Sequence, residues 1–409
     1  MRSPLNIAIC GCGPAGLAAA LLLHADGHRV CIFDRFAAPG PVGSGLILQP
    51  TGLGVLAKLG LVDAVARQGA RIERLFGRVV PSNRIVLDVR YRALGEHYHA
   101  IAVHRATLFD ALHTAAVSAG IELTSATTIS RVTMRHEQPV VFDAQDRSLG
   151  EYDLIVDALG AYSALSAARV SKNPLAYGAL WANVVWPTSG GFDFNALEQR
   201  YRRASRMAGI LPIGVPSTGH PAQAAFFWSL KRAELAAWRS AGLQSWKNDV
   251  LRLWPQTEAF LEQIIDAQQL TFAQYDHFTL RQPFARGLVH IGDAAHATSP
   301  QLGQGANMAL LDAYALALAL RTTHGVGGAL RAYASMRRRH VRLFQRASAI
   351  FTPFYQSDSR SLPIMRDWLT APLSNLPAAD ALLARLVSGM TTPPIAGRPF
   401  TPWRAHGAA

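Results

Sequence analysis

A stretch close to the N-terminus constrains the fold of this 409-residue chain more than any other. The apolar run Ile7–Cys10 has the length of a buried parallel strand, and Gly11, Gly13 and Gly16 follow it. Glycines at this spacing, before a helix-favouring run of alanine and leucine, are typical of a turn that binds a dinucleotide pyrophosphate. A second β-type run ends at Asp34, about 20 residues further on, where a carboxylate accepts hydrogen bonds from a ribose. The stretch therefore predicts a site for FAD or NAD, because an acid here would repel the 2′-phosphate of NADP.

The composition is that of a globular protein and bears on its partners. Hydrophobic residues make up 50% of the sequence and charged residues 16%, so the chain can bury a substantial core. Its 40 lysines and arginines exceed its 27 acids, which gives a net charge of +13. The basic residues are dispersed, so a nucleic-acid partner is not expected. A solvated basic face is the preferred interpretation, and a field that attracts an anionic substrate or a reduced nicotinamide cofactor is the alternative.

Cysteine usage and hydropathy indicate the compartment. The three cysteines, Cys10, Cys12 and Cys31, all belong to the N-terminal stretch and resemble small apolar fillers. Because they lack a pattern of histidine or cysteine partners, we expect no metal site. Free thiols fit a reducing compartment, and the N-terminus runs straight into a strand, so a cytoplasmic protein without a membrane span is expected. The oligomeric state is left open between a monomer and a homodimer.

The middle of the chain differs in pattern from its ends. Short aromatic or β-branched runs, separated by proline and glycine, predict a second sheet that includes residues 171–280. A tail over residues 392–409, rich in proline and glycine, is expected to be loosely ordered. The predicted division is a discontinuous nucleotide-binding domain at 1–75, 97–170 and 281–350, a substrate-binding sheet domain at 76–96 and 171–280, and a C-terminal helical segment and tail at 351–409.

A second constellation of glycines follows a buried strand near residue 290. Asp293 comes directly after that strand, and the run Gly303–Asn307 opens a helix. Free backbone amides at a helix N-terminus, together with the helix dipole, stabilise negative charge such as that of a reduced isoalloxazine. Asp293 would accept hydrogen bonds from ribityl hydroxyls. The alternative is an ordinary strand, loop and helix that uses its glycines only for turn geometry.

Together the two constellations resemble one family, the single-component FAD-dependent aromatic hydroxylases typified by para-hydroxybenzoate hydroxylase. The resemblance covers about Ile7 to Ala349 and rests on the N-terminal glycines with Asp34, on Arg105 at a helix start, and on a long motif. That motif reads Gly-Asp-x-x-His-x-x-x-Pro-x-x-Gly-Gln-Gly-x-Asn from Gly292. The resemblance implies an α/β fold: a Rossmann-like FAD-binding domain of the glutathione reductase type, with an inserted β-sheet substrate domain and C-terminal helices.

Site residues carry over from this family position by position. Arg105 would reach the pyrophosphate or the ribityl chain, and the alternative is a surface arginine on a helix. Pro300 and His296 are the implied catalytic positions: Pro300 would lie beside the flavin, while a structural hydrogen bond is the alternative for His296. The implied cofactor-binding residues are Gly11, Gly13, Pro14, Ala15, Gly16, Asp34, Arg35, Gly45, Leu46, Arg105, Asp293, Gly303, Gly305, Ala306 and Asn307.

One motif of the family is altered in this chain. The usual Gly-Ala-Asp-Gly-x-x-Ser-x-x-Arg begins here at Asp157, so that Leu159 replaces its aspartate and Ser166 its arginine. The resemblance links the missing aspartate to FAD and to the reduced nicotinamide. Asp157 and Arg169 are the residues available to compensate.

The resemblance implies bound FAD, NADH or NADPH as a transient electron donor, and dioxygen, with hydroxylation of a small aromatic or quinone-like substrate. A flavin-dependent halogenase lacks support, because its Trp-x-Trp-x-Ile-Pro segment is not found, while a reductase or dehydrogenase of the same fold is the open alternative. Candidate substrate contacts in the second sheet are Trp181, Phe226, Trp228 and Tyr275, with Phe227 beside them, and ordinary sheet packing is the alternative for each. Arg206 or His220 would meet an anionic or phenolic group.

Overall fold

A computed structural model describes residues 3–38, 40, 43–166, 173–188, 190–216, 219–370 and 377–405. Its strands are β1 Asn6–Cys10, β2 Arg29–Phe33, β3 Gly45–Leu48, β4 Ala70–Ile72, β5 Arg74–Val79, β6 Ile85–Arg90, β7 Ala100–His104, β8 Glu122–Thr124, β9 Ile129–Arg135, β10 Gln138–Asp143, β11 Ser148–Glu151, β12 Leu154–Asp157, β13 Asn173–Pro174, β14 Tyr177–Val185, β15 Ala196–Arg202, β16 Arg206–Gly214, β17 Gln223–Lys231, β18 Thr271–Ala273, β19 Asp276–His277, β20 Phe284–Ala285 and β21 Leu288–His290. Its helices are α1 Pro14–Ala25, α2 Pro50–Lys58, α3 Val62–Gln68, α4 Arg105–Ser118, α5 Leu235–Leu253, α6 Glu258–Leu261, α7 Asp293–His296, α8 Gly305–Thr322, α9 Val326–Tyr355, α10 Ser361–Met365 and α11 Pro377–Val387.

The first sheet has six strands in the order β20-β21-β12-β1-β2-β8. All neighbours are parallel except the edge strand β20, so the carboxyl ends of the parallel strands meet at one edge. Side chains of β1 alternate between two buried layers. Ile7 and Ile9 join the core formed with α1 and α8, while Ala8 and Cys10 face the antiparallel sheet of β9, β10 and β11. This three-layer arrangement confirms the predicted α/β fold class.

The second sheet has seven strands in the order β18-β14-β17-β16-β15-β5-β6. Its two faces are distinct because side chains alternate along each strand. On β17, Phe226 and Trp228 pack against α5, while Ala225 faces the other side and belongs to the cluster that includes Ile47 of β3. A Cβ added to Gly45 would lie 2.9 Å from the Ala225 Cβ. The second face therefore looks toward β3.

The C-terminal segment is packed rather than loose over residues 392–405, so that expectation was wrong. Ile395 is fully buried, and Pro394 accepts a hydrogen bond from Arg337 Nη1 at 2.6 Å. The Trp403 amide donates to the Pro50 carbonyl at 2.8 Å. Residues 406–409 lie outside the described part. The division into domains stays a prediction, and its boundary at residue 350 falls inside α9.

Two further features concern only the described residues. None of their helices combines the length and the apolar character needed to cross a bilayer. They also contain no group of three or more histidine, cysteine, aspartate or glutamate side chains placed to hold a metal ion.

Candidate functional site

The two glycine-bearing turns lie in contact at the carboxyl edge of the first sheet. The first turn, residues 11–16, follows β1, and the second, residues 292–307, follows β21. A Cβ added to Gly292 would lie 3.2 Å from the Ala15 Cβ. In open parallel sheets, ligands bind outside the carboxyl ends of the strands. The fold thus brings the two predicted constellations to one edge of the sheet, the candidate cofactor cleft, within reach of a single extended ligand.

The glycines of the first turn serve different purposes. Gly11 has a φ of +112°, and a Cβ on it would lie 2.4 Å from the Ala158 carbonyl oxygen. A Cβ on Gly16 would lie 2.0 Å from the Gly11 oxygen, so both glycines are needed for close packing. Around a Cβ on Gly13, by contrast, no atom of the described residues lies within 4 Å. Gly13 therefore leaves open space at the N-terminus of α1, where free amides bind anions.

Asp34 fastens the end of β2 to the first turn. Its Oδ2 accepts a hydrogen bond from the Cys12 amide at 2.7 Å, and its Oδ1 accepts one from the Phe36 amide at 2.9 Å. Only 9% of Asp34 is exposed. The guanidinium of Arg35 stacks on the Phe36 ring at 4.8 Å and is exposed. The carboxylate is therefore fixed beside the turn, with lone pairs left for a ribose.

Asp293 and Arg105 are exposed residues at the starts of α7 and α4. Desolvation by the surrounding protein raises the pKa of the Asp293 carboxyl group, opposed by the charges of His296 and Arg105. Arg105 begins α4, and a Cβ on Gly43 would lie 2.9 Å from its Cδ. The Arg105 side chain is exposed, and its contact with a cofactor stays a prediction.

The second turn ends in an open helix N-terminus. Gly303 has a φ of +61°, and α8 begins at Gly305, whose added Cβ would meet no described atom within 4 Å. Ala306 is half-buried. Gly45 and Leu46, in β3, pair with His104 and Val103 of β7, directly before α4. The amides at 305 and 306 are thus placed to meet negative charge from the cleft side.

Gln49 is a cleft residue that the sequence analysis missed. It is fully buried, and its Oε1 accepts a hydrogen bond from the Tyr91 hydroxyl at 2.6 Å. Its Nε2 has no hydrogen-bond partner among the described residues and lies 3.7 Å from a Cβ added to Gly303. An unpaired buried donor costs stability unless a ligand accepts its hydrogen bond. The one sequence signal for Gln49 is its position, since it is a polar residue that ends an apolar run directly before Pro50.

Asn307 acts through its side chain as a buried clamp. Its Oδ1 accepts from the Gln49 amide at 2.8 Å, and its Nδ2 donates to the carbonyls of Ile47 at 3.0 Å and Gly303 at 2.9 Å. It thereby joins β3 to the second turn. Any role toward a ligand falls to its backbone amide.

Asn307→Ala is expected to lower the free energy of unfolding by about 3 kcal/mol, because one buried donor and two buried acceptors lose their partner. Urea unfolding of the apoprotein measures this loss. Asn248→Ala, on the exposed side of α5, is the control and should change stability by less than about 1 kcal/mol. Equal effects of the two substitutions would contradict the clamp.

His296 is buried and engaged, which favours the structural alternative for this residue. Its Nε2 lies 2.5 Å from Asp312 Oδ2, which also accepts from the Gly292 amide at 2.9 Å. Arg337 Nε donates to the other Asp312 oxygen at 2.6 Å. Burial raises the pKa of Asp312, but His296 and Arg337 outweigh it and lower the pKa to about 2. The network holds the second turn, whereas Pro300 is exposed on the loop beside it.

His340 makes stability depend on pH. Burial and the neighbouring Arg337 lower its pKa to about 3, with hydrogen bonding to Gly389 and the Asp312 charge opposing. Below pH 6.5 the unfolded chain therefore binds a proton that the native protein does not, so stability falls as the pH is lowered from about 6.5 toward 3. His340→Gln should reduce this slope by about 1.4 kcal/mol per pH unit in urea unfolding at pH 6, 5 and 4. The surface variant His220→Gln is the control and should keep the slope of the unmodified protein. The same slope in His340→Gln would contradict the prediction.

The predicted substrate contacts divide between the two faces of the second sheet. Trp181 packs against Phe227 in a tilted arrangement, with ring centroids 4.7 Å apart, and its Nε1 donates to the Tyr275 hydroxyl at 2.9 Å. Burial raises the pKa of Tyr275 to about 12, against the effects of Trp181 and Arg105. These three side chains form an aromatic wall on the face toward β3.

Two of the predicted substrate contacts lie on the other face of the sheet, away from this aromatic wall, and Arg206 and His220 are not part of the wall either. Phe226 and Trp228 belong to the cluster under α5, because adjacent residues of a strand point to opposite faces. Arg206 forms an ion pair with Glu234 at 3.1 Å, next to the start of α5. His220 is exposed on a loop, beyond the end of β16.

Asp157, the first residue of the altered middle motif, makes hydrogen bonds inside the protein. Asp157 is fully buried and accepts hydrogen bonds from the Ser163 hydroxyl at 2.6 Å and the Leu159 amide at 3.0 Å. Its Oδ2 also lies 2.6 Å from His290 Nδ1. Asp157 therefore ties β12 to β21 and is not free to replace the missing aspartate. Arg169 lies outside the described residues.

Comparison with known proteins agrees with this site. A family model described as "FAD binding domain" matches residues 5–348. A 3-amino-4-hydroxybenzoate 2-monooxygenase of Streptomyces cremeus is 28% identical, over 93% of this chain and 98% of the relative. A 6-hydroxynicotinate 3-monooxygenase of Bordetella bronchiseptica is 26% identical, over 76% of this chain and 82% of the relative.

Solved structures share the fold. A tetrameric form of 2-methyl-3-hydroxypyridine-5-carboxylic acid oxygenase has a TM-score of 0.77 at 21% identity, covering 94% of this chain and 97% of its own. Klebsiella pneumoniae HpxO, complexed with FAD and uric acid, has a TM-score of 0.77 at 19% identity, with the same coverage of 94% and 97%. Because the family model spans well over half of the chain, the protein belongs to this FAD-binding-domain family, the group of the FAD-dependent aromatic hydroxylases.

Proposed function

We propose that this protein is an FAD-dependent monooxygenase that uses NADH or NADPH and dioxygen to hydroxylate a small aromatic substrate. The observation that carries the proposal is the contact between the two glycine turns, which brings the N-termini of α1 and α8 to one edge of the first sheet. The curated relatives support it, because each of those named above is a monooxygenase of a hydroxylated aromatic ring.

The residues present fit FAD. The space beside Gly13 suits a pyrophosphate, Asp34 suits the adenosine ribose, and Asp293 suits the ribityl hydroxyls. The α8 N-terminus and the unpaired Gln49 donor suit the polar edge of the isoalloxazine. Once bound, FAD would supply the electron transfer and oxygen activation.

This chain's own residues would orient the substrate and exclude water. The aromatic wall of Trp181, Phe227 and Tyr275 offers flat apolar surface, with the Tyr275 hydroxyl as a polar group. Excluding water from such a site prevents wasteful side reactions of reactive intermediates. The exposed Pro300 would border the reaction site. A hydroxylated benzoate or pyridine ring, like the substrates that the relatives' names give, is the proposed substrate class.

A reducing cytoplasmic location and a monomer or homodimer complete the proposal. All three cysteines are free, which fits a reducing compartment. Size-exclusion chromatography with light scattering would establish the assembly.

The experiment that tests the function uses the purified FAD-loaded protein and a panel of hydroxybenzoates, hydroxypyridines and quinones. Substrate-stimulated NAD(P)H oxidation is recorded under ¹⁸O₂, and products are analysed by mass spectrometry. We expect at least one compound to gain a single labelled oxygen atom. A compound that is oxidised or reduced at the same rate without dioxygen would instead support a reductase or dehydrogenase. Stimulated oxidation that gives only hydrogen peroxide with every compound would contradict the proposal.

A further inference from the structure

A cavity of about 470 Å³ lies on the α5 side of the second sheet, away from the FAD cleft. Residues of β5, β15 and the segment after α5 line it, among them Phe76, Arg78, Arg200 and Trp254. Its face is fixed by register: Arg200 pairs with Ala208, whose side chain belongs to the cluster under α5. A volume of this size is typical of small-molecule sites. None of the residues assigned to FAD or to the substrate lines the cavity.

Two arginines stand side by side in this cavity. Arg78 and Arg200 are register partners on the parallel strands β5 and β15. The Arg200 guanidinium stacks on the Trp254 ring at 4.4 Å, and that of Arg78 lies 5.0 Å from the Phe76 ring. Stacking occupies the flat faces of a guanidinium and leaves its N–H edges to donate hydrogen bonds. One donor of Arg200, Nη1, already donates to the Gln199 carbonyl at 3.1 Å, and the other donors remain for a ligand. The rings thus orient two neighbouring forks of donors.

The positive charge of the pair is incompletely balanced. Glu198 Oε2 lies 3.8 Å from Arg200 Nη2, and the other Glu198 oxygen already accepts a hydrogen bond from the Asp193 amide at 3.1 Å. Arg78 makes no ion pair among the described residues. Only 17% of the Arg200 side chain is exposed. Burial lowers the pKa of this guanidinium, Glu198 opposes the change and Arg78 adds to it. An anion that entered the cavity would relieve the repulsion between the arginines.

We propose that this cavity binds a small aromatic carboxylate, independently of the flavin site. Its carboxylate would accept hydrogen bonds from the N–H edges of Arg78 and Arg200, the geometry that a planar fork offers to two oxygens. Its ring would lie against the apolar surface of Val80, Pro81 and Pro255, which also line the cavity. These three side chains give an aromatic acid a contact that inorganic phosphate lacks, and phosphate would leave most of the space unfilled.

The test titrates the FAD-loaded protein with 4-fluorobenzoate, observed by ¹⁹F NMR, and compares four proteins. In Arg200→Gln and in Arg78→Gln, one signal of bound 4-fluorobenzoate should disappear, or its dissociation constant should rise at least tenfold. Arg202→Gln removes the same charge from an exposed position of the same strand and should match the unmodified protein. Any 4-fluorobenzoate that binds at the flavin site does so in all four proteins, so it does not affect the difference between them. Should Arg200→Gln fail to fold, Arg78→Gln decides the matter, because Arg78 makes only a stacking contact.

Two outcomes would overturn the proposal. One is an identical titration for all four proteins. The other is inorganic phosphate that binds as tightly as 4-fluorobenzoate and displaces it, since that result would identify a simple anion site. The titration measures binding and not catalysis. Its outcome therefore does not depend on whether the protein hydroxylates any compound.

Discussion

Replacing Asp293 with alanine is expected to weaken FAD binding about 30- to 150-fold. Hydrogen bonds to an ionised carboxylate contribute about 2 to 3 kcal/mol when one partner is lost, which converts to this range of dissociation constants. Asp293 is exposed at the start of α7, so its oxygens are available to a ligand. Titration of the apoprotein with FAD, followed by flavin fluorescence, measures the change.

Two controls accompany this substitution. Asp110→Ala removes an exposed acid from α4 and should leave FAD affinity unchanged. Asp293→Asn keeps one acceptor oxygen and should fall between the alanine variant and the unmodified protein. A full equivalent of tightly held flavin in Asp293→Ala would remove this residue from the cofactor site.

The second large effect separates two glycines of the first turn. In Gly16→Ala the new methyl group would lie 2.0 Å from the Gly11 oxygen, so α1 must move away from β1. We expect the apoprotein to lose about 3 kcal/mol or more of stability, or to fail to fold. In Gly13→Ala the methyl group enters space free of described atoms, at an ordinary φ of −78°. The apoprotein should keep its stability or gain about 0.4 to 1 kcal/mol, because alanine restricts the unfolded chain.

Gly13→Ala should nevertheless lose at least about tenfold in FAD affinity, since its methyl group occupies the space assigned to the pyrophosphate. Urea unfolding of both apoproteins and FAD titration of Gly13→Ala provide the measurements. A Gly13→Ala protein that is as stable as the parent and binds FAD equally well would place the pyrophosphate elsewhere. A stable Gly16→Ala protein would contradict the packing of the turn.

Local patterns predicted the parts of the site that depend on neighbours in sequence. The spacing of Gly11, Gly13 and Gly16 between a strand and a helix is read from consecutive residues, and so is the position of Asp34 after the second strand. The long motif from Gly292 likewise combines a strand end and a helix start. Each of these features needs only local backbone geometry, which sequence reports directly.

Local patterns could not predict which face of a sheet a side chain points to, or which residues far apart in the sequence meet in the fold. Three consecutive aromatics, Phe226 to Trp228, do not reveal which of them faces which side, because alternation fixes the period and not the phase. Asp157 meets His290 across 133 positions of sequence, and a local reading made it a candidate to compensate for the altered motif. Ile395 is buried within a proline- and glycine-rich tail, because its partners come from elsewhere in the fold.

A crystal structure of the protein with FAD tests the central claim most directly. It should show one FAD per chain, with its adenosine ribose at Asp34, its pyrophosphate beside Gly13, and its isoalloxazine edge at the amides of Gly305 and Ala306. An FAD that contacts only one of the two glycine turns, or that binds outside the cleft between them, would contradict the account.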